Sequence, residues 1–155
     1  MELFRAAVAS AVGTWVVEGD DRAVTKIFMP HEPTTPTRGP APRAVAVATD
    51  QLREYFAGRR RNFHVTLADV AATSFQRDVW DALRAIPYGQ VRTYGEVAAA
   101  VGRPKAVRAV GNANHVNPWP VFVPCHRVVG ADGLGGYGGG PDVKRFLLGL
   151  EGVTL

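Results

Sequence analysis

Residues 29–43 carry prolines at positions 30, 33, 36, 40 and 42. No α-helix or central strand survives that density, because each proline lacks an N–H and has its φ fixed by the ring. The segment is read as a loop, and the patterns on either side of it are then separable. Upstream, residues 13–18, a Gly19-Asp20-Asp21 turn and residues 23–28 alternate as a β-hairpin. Downstream, residues 44–57 take helical spacing, with Val45, Leu52 and Phe56 on one face and Gly58 as the stop. Arg59-Arg60-Arg61 reads as a solvated turn, and Phe63, Val65 and Leu67 alternate as a further strand.

A second lobe is expected near Thr73, giving domains 1–70 and 71–155. Thr73 and Gln76 have the spacing of a capping box, and Phe75, Val79, Leu83 and Ile86 share one helical face before Pro87-Tyr88-Gly89. Thr93 and Glu96 repeat the box ahead of a short helix that turns Val97, Ala98 and Val101 inward and closes at Gly102. Pro104 suits the first position of a second helix, over 104–115. Two short helices joined by about three residues containing glycine form a helix-turn-helix pattern. The fold class is α/β and two-lobed: a small antiparallel sheet with a helix, then a mostly helical lobe.

In that second helix Ala106, Val110 and Ala113 share the inward face, and Arg108, Gly111, Asn112 and His115 share the other. One long cation among small residues is poorly suited to reading base edges in a major groove. It suits close approach to a minor groove and support of an extruded nucleotide. A formal charge of +4 and a pI near 9.6 agree with a polyanionic partner. No run reaches the ~18 apolar residues of a membrane span, and residues 1–12 lack the pattern of a signal peptide. The single cysteine excludes an internal disulfide framework and fits a reducing compartment, the cytoplasm.

That cysteine lies in Val121-Phe-Val-Pro-Cys-His-Arg-Val-Val-Gly. A lone cysteine in an apolar run is more often a packing residue than a nucleophile. As a nucleophile, Cys125 needs a base, because the thiolate is the reactive form. On a strand His126 points to the opposite side, so it reaches the thiol only if Pro124 turns the backbone or a water bridges the two. An amphipathic helix over 142–150 delivers Glu151, which we take as the carboxylate orienting His126.

The chain from Phe75 to Glu151 resembles the O6-alkylguanine-DNA alkyltransferases. The likeness rests on Pro124-Cys125-His126-Arg127-Val128, Ile86-Pro-Tyr-Gly-Gln-Val, Thr93-Tyr94-Gly, Pro104-Lys-Ala-Val-Arg-Ala-Val-Gly, Asn117-Pro118, the glycines around Tyr137, and Lys144-Arg-Phe-Leu-Leu. It implies a ribonuclease H-like N-terminal lobe and a winged-helix-like C-terminal lobe. It also implies a single-turnover reaction in which Cys125 keeps an alkyl group taken from a guanine flipped out of duplex DNA. The catalytic set it implies is Cys125, His126 acting through water, Glu151, Tyr94 as hydrogen-bond donor to the guanine, and Asn117 as a hinge. DNA contacts are expected at Arg108, which fills the vacated stack, and at Tyr94, Gly95, Arg103, Lys105, Gly111 and Asn112. The base pocket is expected at Val128, Tyr137, Gly138, Pro120 and Trp119. The partner is double-stranded DNA bearing O6-alkylguanine or, as a second candidate lesion, O4-alkylthymine, with no membrane partner, and the protein is expected to be a monomer.

No cofactor is expected. No metal is expected either, because the zinc ligands of some relatives are cysteines this chain lacks. His31 and His64 read as surface or strand residues, and Trp15 and Trp80 as core. Three departures stand out: Gly138 where some relatives carry serine, Ala11 where proline is common in a tight turn, and Trp119 ahead of Pro120. The alternatives are a non-catalytic module that senses alkylated DNA and a cysteine hydrolase. The first lacks the acceptor cysteine in its known forms, and the second leaves the helix-turn-helix unexplained.

Overall fold

Residues 4–10 form a strand that alternation did not mark, because alanines dominate it and give little polar-apolar contrast. In the computed structural model, which describes residues 2–155, β1 (Phe4–Ser10), β2 (Gly13–Gly19) and β3 (Val24–Phe28) form an antiparallel sheet in that order. The β1–β2 turn closes with Ser10 opposite Gly13. The Ser10 hydroxyl donates to Gly13 O at 2.8 Å and accepts the Trp15 indole N–H at 2.9 Å. The turn therefore forms with Ala11 in it. A buried face of Trp15, Val17 and Ile27 meets helix α1 (Arg43–Phe56) through Val45, Ala48 and Leu52.

Residues 63–67 are not a strand. Only an isolated bridge joins Val24 and Leu67. The backbone of His64 is instead held by the Gln51 side chain of α1, which donates to His64 O at 3.1 Å and accepts from His64 N at 2.9 Å. A side-chain amide here takes the place of a sheet neighbour.

The chain divides into two compact units, Met1–Val70 and Ala71–Leu155. The second contains α2 (Ser74–Arg84), a two-residue β4 (Arg92–Thr93), α3 (Tyr94–Ala100), α4 (Val107–His115), β5 (Val128–Val129) and α5 (Pro141–Leu150). Both expected capping boxes form. Thr73 and Gln76 satisfy each other's backbone N–H groups at the start of α2, and Thr93 and Glu96 do so at the start of α3. β4 and β5 pair in parallel, Arg92 with Val128 and Thr93 with Val129. That pairing brings the start of α3 beside the segment that follows the cysteine.

The link between α3 and α4 differs from expectation. Gly102, at φ 77°, ends α3, with Arg103 N donating to Ala98 O at 2.9 Å. Ala106 N then donates to Arg103 O at 2.9 Å. Pro104 is thus the second residue of a β-turn, where its fixed φ also fits, and α4 starts at Val107 rather than at 104. Val110 and Ala113 are buried as expected, while Arg108, Asn112 and His115 are exposed.

Candidate active site and DNA-facing helix

The backbone around Cys125 is a pair of tight turns, not a strand. Pro124, at φ −79° and ψ 67°, centres an inverse γ-turn in which Cys125 N donates to Val123 O at 2.7 Å. A 3-10 turn over Cys125–Arg127 follows at once. Proline fixes the φ of the first turn, and this is the backbone turn that the Cys-His dipeptide requires. Upstream, Val121 sits at φ 78°, a left-handed conformation that a β-branched residue adopts at a cost of roughly 1–3 kcal/mol. It is held there by Val123 N donating to Trp119 O at 2.8 Å.

His126 is fully buried and lies 2.7 Å through Nε2 from Glu151 Oε2. Its Nδ1 is also buried and has no hydrogen-bond partner among the described residues. Burial lowers the His126 pKa below its usual value, against the opposing pull of Glu151. The ring is therefore neutral at physiological pH, with Nδ1 able to accept a proton if Nε2 carries the hydrogen toward Glu151. Glu151 is the C-cap of α5, and its side chain has no exposed area. It also accepts both arms of the Arg127 guanidinium, Nε to Oε1 at 2.8 Å and Nη2 to Oε2 at 3.0 Å, and the Gly89 N–H at 3.1 Å. Arg127 Nη1 donates to Ile86 O at 2.7 Å.

Burial pushes the Cys125 thiol pKa up; the hydrogen bonds of Tyr137 and Asn117 and the charge of Lys144 pull it back. Sγ lies 3.6 Å from Tyr137 Oη. Lys144 is fully buried, and its Nζ donates to Val128 O at 2.6 Å and to Gly136 O at 3.1 Å. Burial lowers its pKa to about 8, with the Cys125 charge acting the other way. It ties the glycine-rich loop to β5. The Tyr94 hydroxyl reaches the same loop, donating to Gly136 O at 3.3 Å, and burial raises its pKa. Gly135 admits no side chain, because a Cβ there would meet Gly130 N at 2.8 Å and the Tyr94 ring at 3.2 Å, and its φ is 73°.

Cys125, His126, Glu151, Tyr94, Asn117, Val128 and Tyr137 are thus joined by short contacts or adjoining turns. Asn117 bridges through Nδ2 to Val123 O at 2.9 Å and accepts Trp119 N at 3.0 Å. It joins α4 to a turn rather than to a strand. Pro120 is buried, and Gly138 is exposed on the loop. Trp119 packs edge-on against Trp80 of α2, with ring centroids 5.7 Å apart, so its ring is committed to the core. Gly95, Lys105, Arg108 and Asn112 are exposed, and Gly111 is partly so. Arg103 is exposed too, but its guanidinium stacks over Phe75 at 5.7 Å. Arg127 and Lys144 lie within the motifs quoted above, which assign neither of them a role. Their signal was present, as charges inside otherwise apolar segments. No group of three or more histidine, cysteine or acidic side chains among the described residues could hold a metal ion.

Residues 74–153 match the family model described as 6-O-methylguanine DNA methyltransferase, DNA binding domain. The methylated-DNA–protein-cysteine methyltransferase of Mycolicibacterium paratuberculosis is 48% identical over 148 residues, covering 93% of this chain and 89% of the relative. The constitutive enzyme of that name from Bacillus subtilis is 41% identical, covering 92% of each chain. The crystal structure of Mycobacterium tuberculosis OGT in complex with DNA superposes with a TM-score of 0.84 at 46% identity, covering 96% of this chain and 92% of that one.

Proposed function

From the premise that this chain belongs to the O6-methylguanine-DNA methyltransferase family, we propose that Cys125 removes the alkyl group of O6-alkylguanine extruded from duplex DNA and keeps it. The chain is a methylated-DNA–protein-cysteine methyltransferase that repairs DNA by direct reversal. The observation that carries the residue assignments is the buried Cys125, set by two turns beside a His126–Glu151 pair, in the same unit as the helix-turn-helix.

The thiol proton passes to His126 Nδ1 through a bridging water, and Glu151 balances the imidazolium. The sulfur lone pair attacks the alkyl carbon, the carbon–oxygen bond breaks, and its electron pair leaves on the guanine. Tyr94, kept protonated by its raised pKa, offers the hydrogen bond that the departing anion needs. The product is a thioether, which no side chain here can cleave, so each molecule acts once. The target carbon is unreachable within a stacked duplex, so the base must come out. Arg108, the exposed cation of α4, enters the gap, with Gly95, Lys105, Gly111 and Asn112 lining the approach to the backbone. Arg103 joins them from its stack on Phe75. Val128, Tyr137, Gly138 and Pro120 form the base pocket. The helical unit acts as a winged-helix-like lobe and the sheet unit as a ribonuclease H-like one. A thiol that must stay reduced places the protein in a reducing compartment such as the cytoplasm.

Incubation with a duplex containing O6-methylguanine is expected to add one methyl mass, located on Cys125 by peptide mapping. Cys125→Ser should gain none. Repeated turnover, or an unmodified Cys125, rejects the assignment. Arg108→Ala should slow repair of duplex DNA by about tenfold more than reaction with a free alkylated base, since a few kcal/mol of unstacking is at stake only in the duplex. Equal losses on both substrates would remove Arg108 from extrusion.

A further inference from the structure

Asn114 lies in the last turn of α4, next to Ala113, whose carbonyl accepts the Trp80 indole N–H at 2.9 Å. Its Nδ2 donates to the carbonyl of Cys125 itself, at 3.1 Å. Val128 N donates to the same oxygen. Two donors occupy both lone pairs of a carbonyl. Because an acceptor faces it, the amide must present its NH2 group there, which leaves Oδ1 turned the other way. Oδ1 is buried and has no partner among the described residues. A buried acceptor without a donor costs stability, and an apolar side chain of the same shape avoids that cost. On stability alone, then, the site favours leucine over asparagine.

Asn117 makes the parallel tie, to Val123 O. The two tied carbonyls, Val123 and Cys125, bracket Pro124 and so fix both ends of the γ-turn. Asn117 lies beyond the C-cap of α4, Val116, whereas Asn114 belongs to the helix. A shift of α4 therefore reaches the nucleophile's own peptide unit through one hydrogen bond.

We propose that Asn114 is a positioning residue that couples the seating of α4 on DNA to the orientation of Cys125. The inference rests on the reading of α4 as the DNA-facing helix and of Cys125 as the alkyl acceptor. In Asn114→Leu, which keeps the volume and removes the donor, the melting temperature should equal or exceed that of the unsubstituted protein. Its saturating single-turnover rate on O6-methylguanine duplex should fall about tenfold, the scale of one hydrogen bond. The DNA concentration at half-saturation should not move, and reaction with free O6-benzylguanine should slow by less than about twofold. Asn114→Ala, which also lacks the donor and adds no charge beside the thiol, should show the same split between the two substrates and carries the test if the leucine variant does not fold. Slowing by equal factors on both substrates, a smaller active fraction reacting at the normal rate, or an alanine variant as fast as the parent would overturn the proposal. Failure of the unsubstituted protein to take up any alkyl group would instead sink the functional reading beneath it.

Discussion

Glu151→Gln is expected to lower the free energy of unfolding by about 3–5 kcal/mol, the cost of breaking a buried ion pair from one side. Glu151 faces four hydrogen-bond donors: the Arg127 Nε and Nη2, the Gly89 N–H and the His126 ring. Its side chain is 0% exposed and that of Arg127 is 7% exposed, so solvent screens little of the attraction. The amide keeps the shape and one oxygen but loses the charge and replaces an acceptor with a donor. Arg127, which does not deprotonate in proteins, is then left as a buried cation with a half-satisfied fork. Denaturant titration measures the loss, and a change below about 1 kcal/mol would mean the site is far more hydrated than its burial indicates. Surface pairs such as Arg53–Asp50, with side chains 54% and 74% exposed, set the contrast: their removal should be nearly silent.

What could be read from the sequence follows how local each determinant is. The capping boxes at Thr73 and Thr93 are four-residue affairs, and both formed as expected. Glu151 could be placed opposite His126 because an amphipathic helix has a definite end, although 25 residues separate the pair. Pattern rules failed where a distant group decides the outcome. Gln51 captures the backbone of His64 and leaves residues 63–67 without a ladder. A local signal can also point two ways: proline fits a turn corner as well as a helix start, and Ala106 N donating to Arg103 O makes Pro104 a corner, which delays α4 by three residues. Amphipathicity rules place charged side chains outward, so they give no signal that Lys144 and Arg127 are buried. Their burial depends on loop closures that bring Val128 O, Gly136 O and Glu151 to them. The resemblance places Trp119 beside Pro120 at the pocket, but no local pattern indicates that its ring meets Trp80 of α2.

His126→Gln should slow alkyl transfer at neutral pH by ~10²–10⁴-fold, the usual contribution of a positioned base, and should change the shape of the pH profile. Burial shifts the two partners in opposite directions: the thiol is pushed up and the imidazole down. Both shifts favour the neutral pair, so the resting site holds a thiol and a neutral ring, and bulk thiolate is scarce. Moving one proton from sulfur to Nδ1 leaves the proton count of the pair unchanged. The fraction in the reactive ion-pair form is then independent of pH until the pair gains or loses a proton to solvent. Because burial lowers the His126 pKa, the unsubstituted protein should hold a level rate through neutral pH and decline only in more acid solution, where the ring takes a proton from solvent. Glutamine can still donate to Glu151 but cannot take the proton. In the variant the rate must follow solvent-generated thiolate, rising about tenfold per pH unit toward the raised thiol pKa, above 9.0. A variant whose profile stays level would show that sulfur gives up its proton to another group, and the partnership of Cys125 with His126 would have to be abandoned.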